Sequence, residues 1–186
     1  MNPTSNKSDF EDLTTNLKDL AYSYLEKYSP SKQQLKVYLL KKYLTKIKGT
    51  TSKKEVSSII DEIVLNLEKK RIINDQLFSD SKARLFLKRG YSINKINQSL
   101  RNKGIDSSYI KETIEKIKEN EIEPDFVSAL KLCKRRRIGP LRPEANRELF
   151  YKKDMGILAR SGFSYDISKK ILSMSNKEFK KLFTLI

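Results

Sequence analysis

The feature that most constrains the fold is the spacing of the apolar residues, which recur every three or four positions along almost the whole chain. The clearest stripe, with six members in twelve residues, is formed by Val56, Ile59, Ile60, Ile63, Val64 and Leu67. Such spacing places apolar side chains on one face of an α-helix. No segment shows the two-residue alternation of a half-buried strand. The sequence therefore predicts an all-α fold, whose short helices gain stability by packing on one another.

Glycine and N-cap signals divide this pattern into ten helices. Five of the six glycines lie where an apolar stripe ends, as expected after a helix C-terminus: Gly49, Gly90, Gly104, Gly139 and Gly162. Capping-box spacing or a favourable N-cap residue occurs at Ser52 with Glu55, Ser175 with Glu178, Ser92, Asp106 and Ser164. The predicted helices span residues 11–27, 31–47, 53–69, 75–89, 92–103, 107–119, 124–137, 144–161, 164–173 and 176–185.

A turn motif recurs along the chain. Gly90-Tyr91-Ser92-Ile93 is echoed by Gly162-Phe163-Ser164-Tyr165 and, more faintly, by Lys27-Tyr28-Ser29-Pro30. In each case a basic helix ends, an aromatic residue follows, and a serine precedes the next helix. The motif is also common in helix–helix turns generally, but its recurrence favours tandem three-helix repeats. We expect a disordered tail over residues 1–10, repeats over 11–70, 71–120 and 121–174, and a C-terminal helix over 175–186.

The charge of the chain is high and unevenly distributed. The 186 residues include 39 Lys and Arg against 23 Asp and Glu, a net charge of +16, which favours polyanionic partners and nucleic acid first. Residues 105–125 carry seven acids and three bases, a net of −4, whereas residues 131–160 carry ten bases and three acids, a net of +7. Lysine-rich helices can also be solvated surfaces without a partner. Segregation of the charge favours the binding interpretation.

The sharpest basic cluster is the run Lys134-Arg135-Arg136-Arg137, followed by Arg142 beyond a Gly139-Pro140 turn. Guanidinium groups bind phosphate or carboxylate bidentately. Four successive residues cover a full helical turn, so they cannot all face one partner, and some complement the helix dipole. No recognition helix for base edges stands out, so any DNA contact is expected to be mostly with phosphate.

The sequence lacks the residue types that several kinds of catalytic site and metal site require. The chain has no histidine and one cysteine, Cys133, which excludes Ser-His and Cys-His nucleophile pairs, histidine metal sites and an intrachain disulfide. Cys133 lies in the apolar phase of a helical pattern and is predicted to be a core thiol. The segment Gly49–Lys54 lacks the second glycine and the preceding strand of a phosphate-binding loop. We therefore predict that the protein is not an enzyme and needs no metal or cofactor.

The sequence shows no targeting signal. The first twelve residues are polar and contain no apolar signal-peptide core, and no run approaches the roughly 20 apolar residues of a membrane helix. A cytoplasmic protein without a membrane partner is expected, in agreement with the single reduced cysteine.

Several segments, taken in order, resemble the RecX family of regulatory proteins in the form seen in alphaproteobacteria. Ile73–Phe78 resembles the family's Leu-x-Asp-Asp-x-x-Phe element. Lys88–Ser92 and Leu100–Asp106 follow in the family's order. Leu130–Arg142 resembles its basic Gly-Pro-turn segment, and Lys153–Ile167 resembles its C-terminal signature. The resemblance runs from about residue 17 to residue 174, and the order and spacing of the motifs carry it.

The sequence departs from the family pattern at a few positions. Asn74 stands where the family often has Asp, Ser161 where it often has Arg, and Gln34 where it usually has Glu. The segment after Ser175 has no counterpart. These departures leave open which of the family's contacts this chain keeps.

The resemblance implies three tandem three-helix repeats in an elongated, curved array. It also implies a monomeric regulator, most often an inhibitor, that occupies the groove of the RecA filament on single-stranded DNA and limits ATP hydrolysis and strand exchange. The predicted contact residues for RecA and DNA phosphate are Lys88, Arg89, Lys134, Arg135, Arg136, Arg137, Arg142 and Arg160. The alternative is a stand-alone basic helical module that binds nucleic acid without RecA.

Overall fold

In a computed structural model, which describes residues 3–47 and 51–185, the described residues form ten α-helices and no strand. The helices are α1 (Pro3–Leu25), α2 (Lys32–Lys42), α3 (Lys53–Lys69), α4 (Asp75–Lys88), α5 (Ile93–Arg101), α6 (Ser107–Asn120), α7 (Pro124–Arg136), α8 (Glu144–Arg160), α9 (Tyr165–Leu172) and α10 (Asn176–Thr184). A π-helical turn, Tyr43–Ile47, extends α2, and a 3₁₀ turn, Gly139–Leu141, follows α7. The predicted all-α class is confirmed.

Helix starts agree with the capping signals in the sequence. The predicted capping boxes at Ser52 with Glu55 and at Ser175 with Glu178 are both formed. A third box, in which Ser31 and Gln34 bond reciprocally, opens α2 and was not predicted. The predicted N-caps Ser92, Asp106 and Ser164 each accept a backbone N–H of the helix that follows, as expected for short polar side chains at these positions.

Two predicted boundaries differ from the structure or lie outside it. Helix α1 begins at Pro3, so residues 3–10, expected in a disordered tail, are helical. Proline suits the first turn of a helix, and a helix that has nucleated gains one hydrogen bond per added residue. Gly49, predicted to end the second helix, lies outside the described residues. Along the described chain, every helix is too short or too polar to span a bilayer.

The chain divides into two compact units. The first contains residues 1–78 with 103–105, and the second contains residues 79–102 with 106–186. In the first unit the apolar faces of α1, α2 and α3 form one core, in which Leu17, Ala21, Leu35, Leu39 and Val56 are fully buried. The predicted stripe of α3 is buried along its whole length. Periodicity read from the sequence therefore identifies the faces that pack in this unit.

The second unit has its own core, built mainly from α7, α8, α9 and α10. Ala129, Leu130, Cys133, Leu158 and Ile171 have no exposed surface. Helix α10 docks on this core through Phe179, which is 1% exposed. The side-chain amide of Asn176, at the start of α10, also donates to the Pro140 carbonyl at 2.8 Å. The segment that has no counterpart in the family pattern is therefore packed against the rest of its unit.

Candidate nucleic-acid and partner interface

The basic C-terminus of α4 lies against the backbone of α7. Gly90 has a φ of +69°, and a Cβ at this position would stand 2.7 Å from both the Leu132 nitrogen and the Ser128 carbonyl oxygen. Only glycine tolerates both the left-handed conformation and this close approach. Lys88 and Arg89, which immediately precede Gly90, are exposed. The close contact therefore holds these two predicted cations beside α7.

The basic C-terminus of α8 meets the start of α5. Ser92, the N-cap of α5, donates its hydroxyl to the Ser161 carbonyl at 2.7 Å, and a Cβ on Gly162 would stand 2.4 Å from the same hydroxyl oxygen. A carboxylate oxygen of Asp125 accepts the backbone N–H of Ile93 at 2.7 Å. We call this set of contacts the joint. Burial raises the pKa of the Asp125 carboxyl, although its hydrogen bond with Ile93 opposes the rise.

The same joint occurs in the first unit. The Ser31 hydroxyl donates to the Lys103 carbonyl at 2.7 Å, and Asp75 accepts the N–H of Lys32 at 2.9 Å. A Cβ on Gly104 would stand 2.4 Å from the Gln33 side chain. Burial again raises the pKa of the acceptor, the Asp75 carboxyl.

The two joints match Ser31 with Ser92, Asp75 with Asp125 and Gly104 with Gly162. The turn motif in the sequence instead pairs Gly162 with Gly90. The motif therefore identifies turns of similar chemistry, whereas the joints identify positions of similar structural role. Because the carbonyl of Ser161 is bonded to Ser92, Arg160 is held near the start of α5. The start of α5 in turn follows Lys88 and Arg89 closely in the sequence.

The basic run at the end of α7 is exposed from Lys134 to Arg137. The helix ends because Arg137 adopts a left-handed conformation with a φ of +52°, after which the chain turns inward to the buried Ile138. Cations at a helix C-terminus are favoured by the helix dipole. Within the described part of the chain, Arg135 and Arg136 form no ion pair, so their guanidinium groups are available to an anionic partner.

Arg142 does not belong with these exposed cations. Its Nε and Nη2 bond the two carboxylate oxygens of Asp154 at 2.6 and 2.7 Å, and its guanidinium carbon lies 4.3 Å from the centre of the Phe150 ring. The side chain of Asp154 is 2% exposed and also accepts the N–H of Gly139 at 2.9 Å. The hydrogen bonds to Asp154 raise the pKa of Arg142. Arg142 therefore differs from the other predicted contact residues, because its fork already binds a carboxylate of its own chain.

Helix α10 adds cations that the sequence analysis did not assign. The ammonium of Lys134 lies 3.9 Å from the centre of the Phe183 ring, which brings α10 beside the basic run. Lys180 and Lys181 on this helix are exposed. Their proximity to α7 could not be read from the sequence, because it depends on how the buried Phe179 docks.

The described residues offer no metal centre and no activated thiol. No group of three Asp, Glu or Cys side chains among them is arranged to hold a metal ion. Burial raises the pKa of the Cys133 thiol to about 12, and the nearby Asp154 carboxylate acts in the same direction. The thiolate is the reactive form, and a raised pKa keeps Cys133 protonated and therefore unreactive. Cys133 is a buried core residue, as the sequence predicts.

Seven of the eight predicted contact residues thus lie exposed at the ends of α4, α7 and α8, all within the second unit: Lys88, Arg89, Lys134, Arg135, Arg136, Arg137 and Arg160. Cations on helix ends suit a polyanion, because backbone phosphates are recognised by charge and require no cleft. We call this surface the basic surface.

The relatives found by sequence and the solved structures found by fold agree with one another. No family model matches the chain. The chain is 30% identical over 160 residues to the regulatory protein RecX of Myxococcus xanthus (strain DK1622), covering 85% of this chain and 84% of that protein. A crystal structure of a regulatory protein RecX matches with a TM-score of 0.63 and 22% identity, over 94% of this chain and 79% of its own. The RecX structure from Lactobacillus salivarius matches with a TM-score of 0.58 and 18% identity, over 95% and 99%.

Proposed function

Because the chain belongs to the RecX family of regulatory proteins, we propose that it regulates the RecA recombinase by binding the RecA filament on single-stranded DNA. Binding limits ATP hydrolysis and strand exchange by the filament. The protein acts in the cytoplasm as a monomer, without a cofactor and without catalysis of its own. The observation that carries the proposal is the basic surface, seven exposed cations on three helix ends of one unit.

Electrostatics explains how such a surface attaches. Each Lys or Arg that neutralises a phosphate of single-stranded DNA releases condensed counterions, so the affinity falls with salt at about 0.7 log units per contact and per log unit of salt. The arginines at the end of α7 can bind phosphate or carboxylate with two parallel hydrogen bonds. The basic surface can therefore bind a filament through DNA phosphates and through acidic side chains of the protein.

The direct test adds the purified protein to RecA filaments on single-stranded DNA and follows ATP hydrolysis and strand exchange. Wild-type protein is expected to lower both rates. A variant with Arg135→Ala, Arg136→Ala and Arg137→Ala is expected to need a several-fold higher concentration for the same effect. No change in either rate at several-fold excess over filament sites would refute the proposal.

A matched control removes the same number of charges from another helix. Lys53, Lys54 and Lys69 are exposed on α3, and among the described residues none of them forms an ion pair. Their replacement by Ala lowers the net charge by three, as the arginine variant does. Equal loss of activity in both variants would mean that total charge acts and that the basic surface has no specific role.

The stand-alone nucleic-acid-binding module is the second candidate, and the same basic surface favours it. It predicts full DNA affinity without RecA and a salt slope that shrinks by about two when three arginine contacts are lost. Capture of partners from a bacterial lysate after nuclease treatment separates the candidates. Recovery of RecA supports the regulator, whereas loss of all captured protein after nuclease treatment supports the module.

A further inference from the structure

The first unit carries a stack of three tyrosine rings that extends from its core to solvent. Tyr24 and Tyr38 are stacked, with ring centres 4.0 Å apart and planes 16° apart. The Tyr28 ring follows, 4.9 Å from Tyr24 and inclined at 40°. Tyr24 and Tyr38 are half-buried against the core, whereas Tyr28 is 58% exposed. The outermost ring is therefore held by its neighbour and still presents much of its surface to solvent.

Cations lie close in sequence to these rings. Lys27 immediately precedes Tyr28 in the turn after α1, and Lys41 and Lys42 follow Tyr38 by three and four positions on α2, which places them on the same side of that helix. The Lys42 ammonium lies 5.4 Å from the centre of the Tyr38 ring. Among the residues that the structure describes, these three lysines form no ion pair. Their charge is thus available to an external anion.

Tyr28 differs from the aromatic residues of the related turns. Tyr91 is half-buried and stacks on Phe86 at 5.1 Å, and Phe163 is only 6% exposed. Those two rings are packed against neighbouring side chains at the turn between helices. Tyr28 occupies the corresponding place in its motif but leaves more than half of its surface uncovered. Packing of the turn does not require an exposed ring at this position.

We propose that the tyrosine stack binds an unpaired base of single-stranded nucleic acid, which stacks on Tyr28 while Lys27, Lys41 and Lys42 neutralise the adjoining phosphates. Stacking on exposed aromatic rings beside a basic surface is how proteins bind single strands without reading their sequence. The inference rests on the proposed function only in taking single-stranded DNA as a ligand. It adds a base-contacting site in the first unit to the phosphate-contacting surface of the second.

The test compares two probes, oligothymidylate and an oligonucleotide of the same length with abasic sites throughout. Both have the same phosphate charge, but only the first has bases to stack. Wild-type protein is expected to bind the thymidylate about tenfold more tightly, which is the effect of one stacked base. Tyr28→Ala removes that preference and leaves affinity for the abasic strand unchanged. Tyr28→Phe keeps the preference, because the ring remains.

Tyr22→Ala is the matched control. Tyr22 is likewise an exposed tyrosine, but it lies on α1 two positions from Tyr24 and therefore faces another side of that helix. Its replacement is expected to leave the preference for bases intact. Thermal unfolding of each variant, followed by circular dichroism, checks that the fold is retained.

A cross-linking experiment on the unaltered protein provides a second measurement. Irradiation of a complex with 5-iododeoxyuridine-substituted DNA links a base to an aromatic ring stacked on it. Trypsin then separates the rings, since residues 19–27 carry Tyr22 and Tyr24 while residues 28–32 carry Tyr28 alone. Cross-linking in the peptide 28–32 supports the inference.

Any one of four results with the DNA probes overturns the inference. They are equal affinity of the wild type for both probes, an unchanged preference in Tyr28→Ala, a Tyr28→Ala loss that is equal for both probes, and cross-links that avoid the peptide 28–32. An effect of Tyr28→Ala on RecA inhibition alone, with DNA binding unchanged, would make the stack a protein contact and also overturn it. If the protein binds neither probe, the proposed binding of single-stranded DNA is also wrong. The regulation of RecA is tested separately, by the assay of ATP hydrolysis and strand exchange.

Discussion

The ion pair between Arg142 and Asp154 predicts a clear separation between stability and binding. Arg142→Ala leaves the Asp154 carboxylate, whose side chain is 2% exposed, with one of its three hydrogen bonds, the one from Gly139. Breaking a buried pair by removing one partner costs about 3–5 kcal/mol. For a chain of this length each kcal/mol corresponds to about 2–4 °C, so the melting temperature should fall by about 6–20 °C.

Urea unfolding followed by circular dichroism measures this loss, and a double-mutant cycle assigns it. Asp154→Ala is also expected to be destabilising, and the double variant should lose less than the sum of the two single variants, because no unpaired buried charge remains. Affinity of Arg142→Ala for single-stranded DNA, measured below its unfolding transition, is expected to stay within about twofold of the wild type.

Arg136→Ala is the matched control for Arg142→Ala. Arg136 is exposed, so its replacement should change the free energy of unfolding by less than about 0.5 kcal/mol while weakening DNA binding. Wild-type stability in Arg142→Ala together with weakened DNA binding would refute the reasoning and restore Arg142 as a phosphate contact.

Three further predictions concern the second unit. Gly90→Ala should lower the free energy of unfolding by at least about 1–3 kcal/mol, since the added Cβ meets the α7 backbone and the residue has a positive φ. Gly156→Ala, in a regular helix beside a flexible arginine, should be neutral or stabilising. Equal costs for the two variants would contradict the close approach of Gly90 to α7. Burial raises the folded-state pKa of Asp125 above its ordinary 3.8, so wild-type stability should fall as pH rises through the window just above that value. Asp125→Asn can still accept the Ile93 N–H but does not titrate, so its stability should lack this fall. Urea titrations between pH 4 and 7 measure both curves, and parallel curves would contradict the assignment. Cys133 should react with a thiol reagent only at the rate of unfolding, and fast modification of the native protein would contradict its burial.

Local chemistry made most of the helices predictable. Nine of the ten predicted helices begin within about two residues of the observed starts, because the caps at Ser52, Ser92, Asp106, Ser164 and Ser175 are interactions with the next three residues. Helix α1 is the exception, since its first two turns contain no apolar stripe to mark them. Capping interactions between residues within one helical turn can be predicted from a single sequence.

The site was only partly predictable, because its remaining features depend on residues far apart in the chain. Arg142 looked like part of the basic cluster, since nothing in its neighbourhood shows that Asp154, twelve positions on, bonds its fork. The carboxylates of Asp75 and Asp125 cap helices that begin 43 and 32 residues earlier in the sequence. The exposure of Tyr28, by contrast with Phe163, likewise follows from packing and not from the motif the two residues share.

The two joints also show what the third predicted repeat lacks. Each needs a serine hydroxyl at the N-cap of a repeat's second helix, supplied by Ser31 in α2 and Ser92 in α5. In α8, the second helix of the third predicted repeat, the N-cap is Pro143, which has no hydroxyl and makes no side-chain cap. Position 143 therefore cannot donate a hydroxyl to a carbonyl as Ser31 and Ser92 do, and a joint of this kind cannot form from the N-cap of α8.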